Sequence, residues 1–88
     1  MGTYEGDFVN GVKHGDGHFN FVSNLKYVGE YKNGIREGKG KIINKNGSIA
    51  YDGEFKNNMP NGKGVAPTKS GELKEKLWVD GIDKDLLE

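Results

Sequence analysis

Cysteine is absent from the 88-residue chain, which excludes disulfides and thiolate metal sites. Proline occurs only twice and histidine only twice, and a single arginine, Arg36, stands among the 13 basic residues. Sequence-reading nucleic-acid binders use a basic patch rich in arginine for bidentate contacts, so nucleic acid is not an expected partner. No apolar run approaches the 18 or so residues of a membrane-spanning helix. The start, "MGTYEG", has no secretory leader pattern, and Gly6 stands where a myristoylation site takes Ser or Thr. Only 33% of residues are hydrophobic, which is little for a compact core in so short a chain. The expectation is one domain, soluble and cytoplasmic, that adds to its stability by some route other than a large core.

What the chain has instead is glycine, 15 of 88, with nine aromatics. That is more than twice the ordinary glycine share of roughly 7%. It suggests many tight turns around a few large anchors. Acidic and basic residues balance overall but not locally. Residues 79–88 hold Asp80, Asp83, Asp85 and Glu88 against Lys84 alone, a balance of −3, which leaves +3 over residues 1–78.

The glycines and aromatics recur together. "YEGDFVNG" (4–11), "YVGEYKNG" (27–34) and "YDGEFKNN" (51–58) are spaced by 23 and 24 residues. "HGDG", "EGKG" and "NGKG" each end 13 residues after their tyrosine, and Asn24, Gly47 and Gly71 follow seven residues later. The extra residue of the second copy falls after Gly47 and before Tyr51. Each unit reads as a β-hairpin. Period-two alternation puts Tyr4, Gly6 and Phe8 on one face and Glu5, Asp7 and Val9 on the other. Tyr27, Gly29 and Tyr31, then Tyr51, Gly53 and Phe55, repeat the pattern. A loop such as "NGVKHG" (10–15) follows, then a second strand at 17–21, 40–44 and 64–68. Pro67 predicts that the last of these is short or at an edge. The strand glycine leaves a gap in which a neighbouring ring can lie. Single hairpins are marginal in water, so the units are expected to stack in series, burying their aromatic rows.

These residues resemble MORN repeats, whose pattern runs roughly Tyr-x-Gly-x-aromatic-x-x-Gly-x-x-x-Gly-x-Gly. Three copies cover about 4–26, 27–50 and 51–73. A degenerate fourth stretch, 74–88, has Lys74, Lys76 and Leu77 where Tyr, Gly and an acid would stand, and keeps Trp78, Asp80 and Gly81. It reads as a cap that covers the third hairpin with Leu77 and Trp78. "DKDLLE" could add a short helix whose Leu86 and Leu87 touch the cap. The resemblance implies an all-β, elongated, single-layer array of antiparallel hairpins in one domain, 1–88. It implies no catalytic residues, no cofactor and no metal. Described roles in the family are protein–protein interaction, in cytoskeletal and ciliary scaffolds and at membrane junctions, and in some members association with acidic phospholipids. Cytoskeletal or membrane association of this chain is an expectation of the same kind.

His14, His18 and Asp16 could contact a metal, but a polar loop position and an outward strand residue explain the two histidines better. "EGKGK" and "NGKG" lack the following helix and Ser/Thr of a phosphate loop. Glu5, Asp7, Glu30, Asp52 and Glu54 recur at the repeat period, and pairing with nearby lysines accounts for them better than a cation site. The aromatic rows, Tyr4, Phe8, Tyr27, Tyr31, Tyr51 and Phe55, have no second sheet over them. They are expected to form a partly exposed groove for a partner helix or an extended peptide. The first repeat begins at Tyr4 without a cap. Either the chain is excised from a longer array, or this edge pairs with a partner or a second copy. The leading expectation is a protein-binding scaffold module. The alternatives are a membrane module meeting acidic phospholipid through Lys39, Lys41 and Lys63, and an oligomer built by end-to-end pairing.

Overall fold

A computed structural model describes residues 2–84. They form one eight-stranded antiparallel sheet in which every strand pairs with its neighbours in sequence. The strands are β1 (Gly2–Val9), β2 (Val12–Phe21), β3 (Lys26–Lys32), β4 (Ile35–Ile43), β5 (Ile49–Lys56), β6 (Met59–Pro67), β7 (Leu73–Val79) and β8 (Ile82–Asp83). The sheet is a single layer with extents of 41 × 26 × 17 Å. Among the described residues there is no α-helix. Of "DKDLLE", where the sequence left room for a short helix, Asp83 belongs to strand β8, and Leu86 and Leu87 lie outside the described residues.

Each hairpin turns on two residues with positive φ: Asn10-Gly11, Asn33-Gly34, Asn57-Asn58 and Asp80-Gly81. Two left-handed residues in succession make the tight turn whose twist matches that of paired strands. The expected six-residue loop at 10–15 is therefore a two-residue turn, and β2 begins at Val12. The later glycine serves a bulge. Gly6 faces Gly17 while Phe8 faces Lys13, so three residues of β2 oppose Asp7 alone. Gly15, Gly38 and Gly62 sit in these bulges with φ of 83°, 95° and 101°, a conformation that costs a side-chain-bearing residue energy. The connections between repeats close on Asn24, Gly47 and Gly71, again with positive φ, which explains the third recurring landmark. The extra residue of the second repeat is Ala50, bulged out between the pairs Ile42–Tyr51 and Ile43–Ile49. β6 is neither short nor at an edge. It is paired on both sides, and Pro67 ends it.

Opposite glycines line up across six strands, in the order Gly6, Gly17, Gly29, Gly40, Gly53 and Gly64. The ring that lies over each pair belongs to the tyrosine two residues earlier in the same repeat. A Cβ on Gly40 would stand 2.5 Å from the Tyr27 ring, and one on Gly29 would stand 2.5 Å from the Gly40 Cα. Flattened on the glycines, each tyrosine hydroxyl reaches the bulge and donates to the carbonyl of Asp7, Glu30 or Glu54, at 2.8 Å in all three repeats. The part-buried hydroxyls of Tyr27 and Tyr51 are thereby satisfied.

Candidate functional site

The rings form a ladder along one face. Phe8, Tyr4, Tyr31, Tyr27, Phe55, Tyr51 and Trp78 contact in that order, each edge to face, with centroids 5.1–5.3 Å apart. The second aromatic of a repeat thus packs between its own tyrosine and that of the preceding repeat. Among the described residues the buried core consists of four of these rings, Tyr27, Tyr31, Tyr51 and Phe55. Phe19, Phe21 and Ile42 pack beside them. The expected six-residue groove is therefore narrower than the sequence suggested. Its central four members are buried, Tyr4 is half-buried and Phe8 is exposed.

Two cations help cover the rings of the first two repeats. The Lys13 amino group lies 4.9–5.6 Å from the ring centroids of Phe19, Tyr4 and Tyr31. The Arg36 guanidinium lies 5.6 Å from Tyr27 and 5.7 Å from Phe21, held there by bonds to the Asn58 carbonyl. The attraction of a cation to a ring face adds to the cover from the aliphatic stems. Sequence reasoning passed over both residues. The signal was available, since each lies three residues after the first turn asparagine of its hairpin. Burial pushes the hydroxyl of Tyr51 up to about 12 and that of Tyr27 further up, mainly because the tyrosinate would lose its hydration. Tyr31 and Tyr4 shift upward for the same first reason, with Asp7 and Asp16 adding to the rise at Tyr4.

The other polar candidates have structural partners. His14 Nδ1 accepts the Asn33 backbone N–H at 3.5 Å, Glu37 accepts that of Asn57 at 3.0 Å, and Asn61 accepts that of Asp80 at 3.0 Å. One position after Lys13, Arg36 or Pro60 therefore stitches each turn to the next. His18 sits in the strand opposite Glu5 and Val28. The repeat acids act through the backbone: Glu30 accepts the Lys39 N–H at 2.6 Å and Glu54 the Lys63 N–H at 2.8 Å. Among the described residues no His, Asp and Glu side chains gather for a metal ion. Lys39 and Lys41 stand opposite Glu54 and Asp52, and Lys63 opposite Leu77, all on the face away from the ladder. Lys39 and Lys63 share a shallow depression there with Asp52, Glu54 and Glu75, so both signs of charge interleave.

The two ends of the ladder differ. At β7, Trp78 takes the second-aromatic place, packs on Tyr51 and donates Nε1–H to the Gly64 carbonyl at 3.2 Å. Leu77 does not share this capping role. It points to the opposite face and is 47% exposed. At β1, Phe8 touches Tyr4 on one side, and among the described residues no tyrosine packs on the other. It is 58% exposed, against 5% for Tyr31 and 4% for Phe55 in the same place. Among the described residues β1 pairs with β2 alone and stands at one end of the strand order.

The model of one family, described as the MORN repeat, matches the chain at residues 4–25, 27–49 and 51–66. No curated protein matches the chain. MORN repeats occur in membrane-binding and scaffolding proteins and are generally non-catalytic. The three matched stretches begin at Tyr4, Tyr27 and Tyr51 and cover more than half of the sequence, and the chain belongs to the MORN-repeat family.

Proposed function

We propose that the chain is a non-catalytic scaffolding module that holds a protein partner at its β1 end. The observation that carries this reading is the contrast between Phe8 and its counterparts Tyr31 and Phe55. The same position in the repeat is covered in two copies and bare in the first. An added extended segment would pair with the β1 edge and lay apolar surface against Phe8, Tyr4 and the stem of Lys13. An extended peptide suits the site better than a helix, because the free backbone row asks for strand-like hydrogen bonds. The interior rings Tyr27, Tyr31, Tyr51 and Phe55 support the surface from behind without touching the partner.

Site-specific photo-crosslinking tests the reading. With the crosslinker at Phe8, a protein bound from extract is expected to be captured, while the same group at Leu77 captures none of it. Equal capture at both positions would contradict the β1 site. An acidic membrane is the second expectation, and it places the contact on Lys39, Lys41 and Lys63. Binding to anionic vesicles that is lost on replacing those lysines, and untouched by Phe8→Ser, would overturn the protein-partner reading. Acids interleaved among these lysines argue against it, since adhesion of a basic segment is worth about 1 kcal/mol per cation and like charges on the protein subtract from it.

A further inference from the structure

The face away from the ladder is polar over most of the sheet and changes character in β5 to β8. The registers put Ile82 beside Val79, Leu77 opposite Lys63, Val65 opposite both Glu75 and Asp52, and Ile49 opposite Ile43. Ile82, Leu77, Val65 and Ile49 thus stand on the adjacent strands β8, β7, β6 and β5, each one side-chain place further along than the last. They form a diagonal apolar stripe. Leu77 is 47% exposed and Ile82 46%, while Val65 and Ile49 are half-buried. One repeat earlier the places of Leu77, Val65 and Ile49 hold Glu54, Lys41 and Lys26, and one further back Glu30, His18 and Thr3. Contiguous exposed apolar surface where the other repeats are polar marks a place of contact. It does not depend on what pairs beside β8, since a further strand would extend the sheet in its plane and leave this face as it is.

The flanks of the stripe point to its occupant. Lys63 lies on one side of the line from Leu77 to Val65 and Glu75 on the other. Among the described residues neither forms an ion pair within its own chain. We propose that the stripe is the interface of a homodimer, two sheets packed back to back about a two-fold axis that lies along the stripe. That axis sets Leu77 and Val65 against their own mates and brings Lys63 of each copy beside Glu75 of the other. A two-fold interface needs a patch that is complementary to itself in this way. A helix or a peptide of another protein would also cover Leu77 and Val65, but it would have to carry an acid on one flank and a cation on the other, which a second copy supplies by symmetry. Strands about 4.8 Å apart with a rise of about 3.4 Å per residue put the stripe roughly 35° off the strand direction, so the two sheets cross at about 70°. Such a crossing approaches the orthogonal class of sheet packing. Four strands and the seven residues of β7 span roughly 20 × 24 Å. That is at the low end of interfaces that hold a specific dimer, so association should depend on concentration. Both aromatic ladders face outward in the pair.

Sedimentation equilibrium of the whole chain over a concentration series is the test. The native chain is expected to pass from monomer to dimer as concentration rises. Leu77→Glu, which gives β7 the acid that β3 and β5 carry at Glu30 and Glu54, should weaken association by about tenfold or more, because it buries an unpaired charge. Trp78 fluorescence, unchanged, is the check on folding. Val28→Glu, on the same face outside the stripe, should leave association as it was. Lys63→Glu and Glu75→Lys should each weaken it, and the two together should restore it. A monomer at every concentration would overturn the proposal. So would a dimer that Leu77→Glu leaves intact, or one that Phe8→Ser dissolves, since the contact would then lie elsewhere. Failure of the double exchange to restore what each single change lost would overturn the two-fold axis and the proposal with it. The protein partner at β1 is read separately, by crosslinking at Phe8.

Discussion

At the β7–β8 end the last ring of the ladder is an indole that packs on Tyr51 and anchors itself to the Gly64 carbonyl. At the β1 end the last ring is a phenyl with no polar handle and one bare side. The chemistry around each ring follows suit. Beyond Trp78 the tyrosine place is Lys74 and the glycine place is Lys76, which forms an ion pair with Asp83 at 2.8 Å. A side chain is admissible at 76 because no tyrosine ring lies over it. The strand glycine and the ladder tyrosine are thus one device, and β7 gives up both together. β1 keeps both, Tyr4 over Gly6 and Gly17, so it has every feature needed for the stack to be extended.

Substitutions sharpen the comparison. Tyr27→Ala removes the fully buried ring on which Tyr31 and Phe55 both rest, and should cost about 3–5 kcal/mol in urea denaturation. A chain that lost no more than an exposed residue would cost would deny that the ladder is the core. At the ends, Trp78→Ala should cost about 2–3 kcal/mol and Phe8→Ala about 1 kcal/mol or less, because only the first ring is enclosed and hydrogen-bonded. Equal losses would erase the distinction between a closed and an open end. Tyr51→Phe removes the hydroxyl bonded to the Glu54 carbonyl and should cost about 1 kcal/mol, with a smaller loss for Tyr4→Phe at the exposed end.

Alkali supplies a graded version of the same test. Tyr51 releases its proton near 10.0 when unfolded and near 12 when folded. The unfolded state is therefore the one stabilised by ionisation as pH rises. Stability from this group is complete below pH 10 and is lost between pH 10 and about 12. Denaturation midpoints from about pH 9 to about pH 11.5 should fall, and fall less steeply in Tyr51→Phe. A midpoint indifferent to pH over that range would mean that the rings are wet.

Most of the fold was legible because a strand's period of two and a repeat's fixed spacing are both written in residue type. Tyr, Gly and the second aromatic gave the face, and Asn24, Gly47 and Gly71 gave the connections. Two features were not legible, for physical reasons. Glycines at 11 and 15 look alike in sequence, yet the first belongs to a two-residue turn and the second to a bulge; only the pairing of Phe8 with Lys13 separates them. Alternation reports which face a ring is on, but not what covers it. Lys13 and Arg36 reach the rings from the neighbouring strand, so the row that looked like a groove is mostly interior. The acids misled in a related way. Pairing with lysine was expected of Glu30 and Glu54, while the bulge had freed backbone N–H groups nearer to hand.

The claim that the β1 end is where the module meets its partner is tested most directly by amide hydrogen exchange, on the chain alone and with the partner captured at Phe8. Free chain should show fast exchange for the β1 amides that face away from β2. The complex should gain protection in Gly2–Val9, with the exchange of β3 to β6 unchanged. Protection gained across the lysine-bearing face of β4 to β6, with β1 still exchanging freely, would contradict the account.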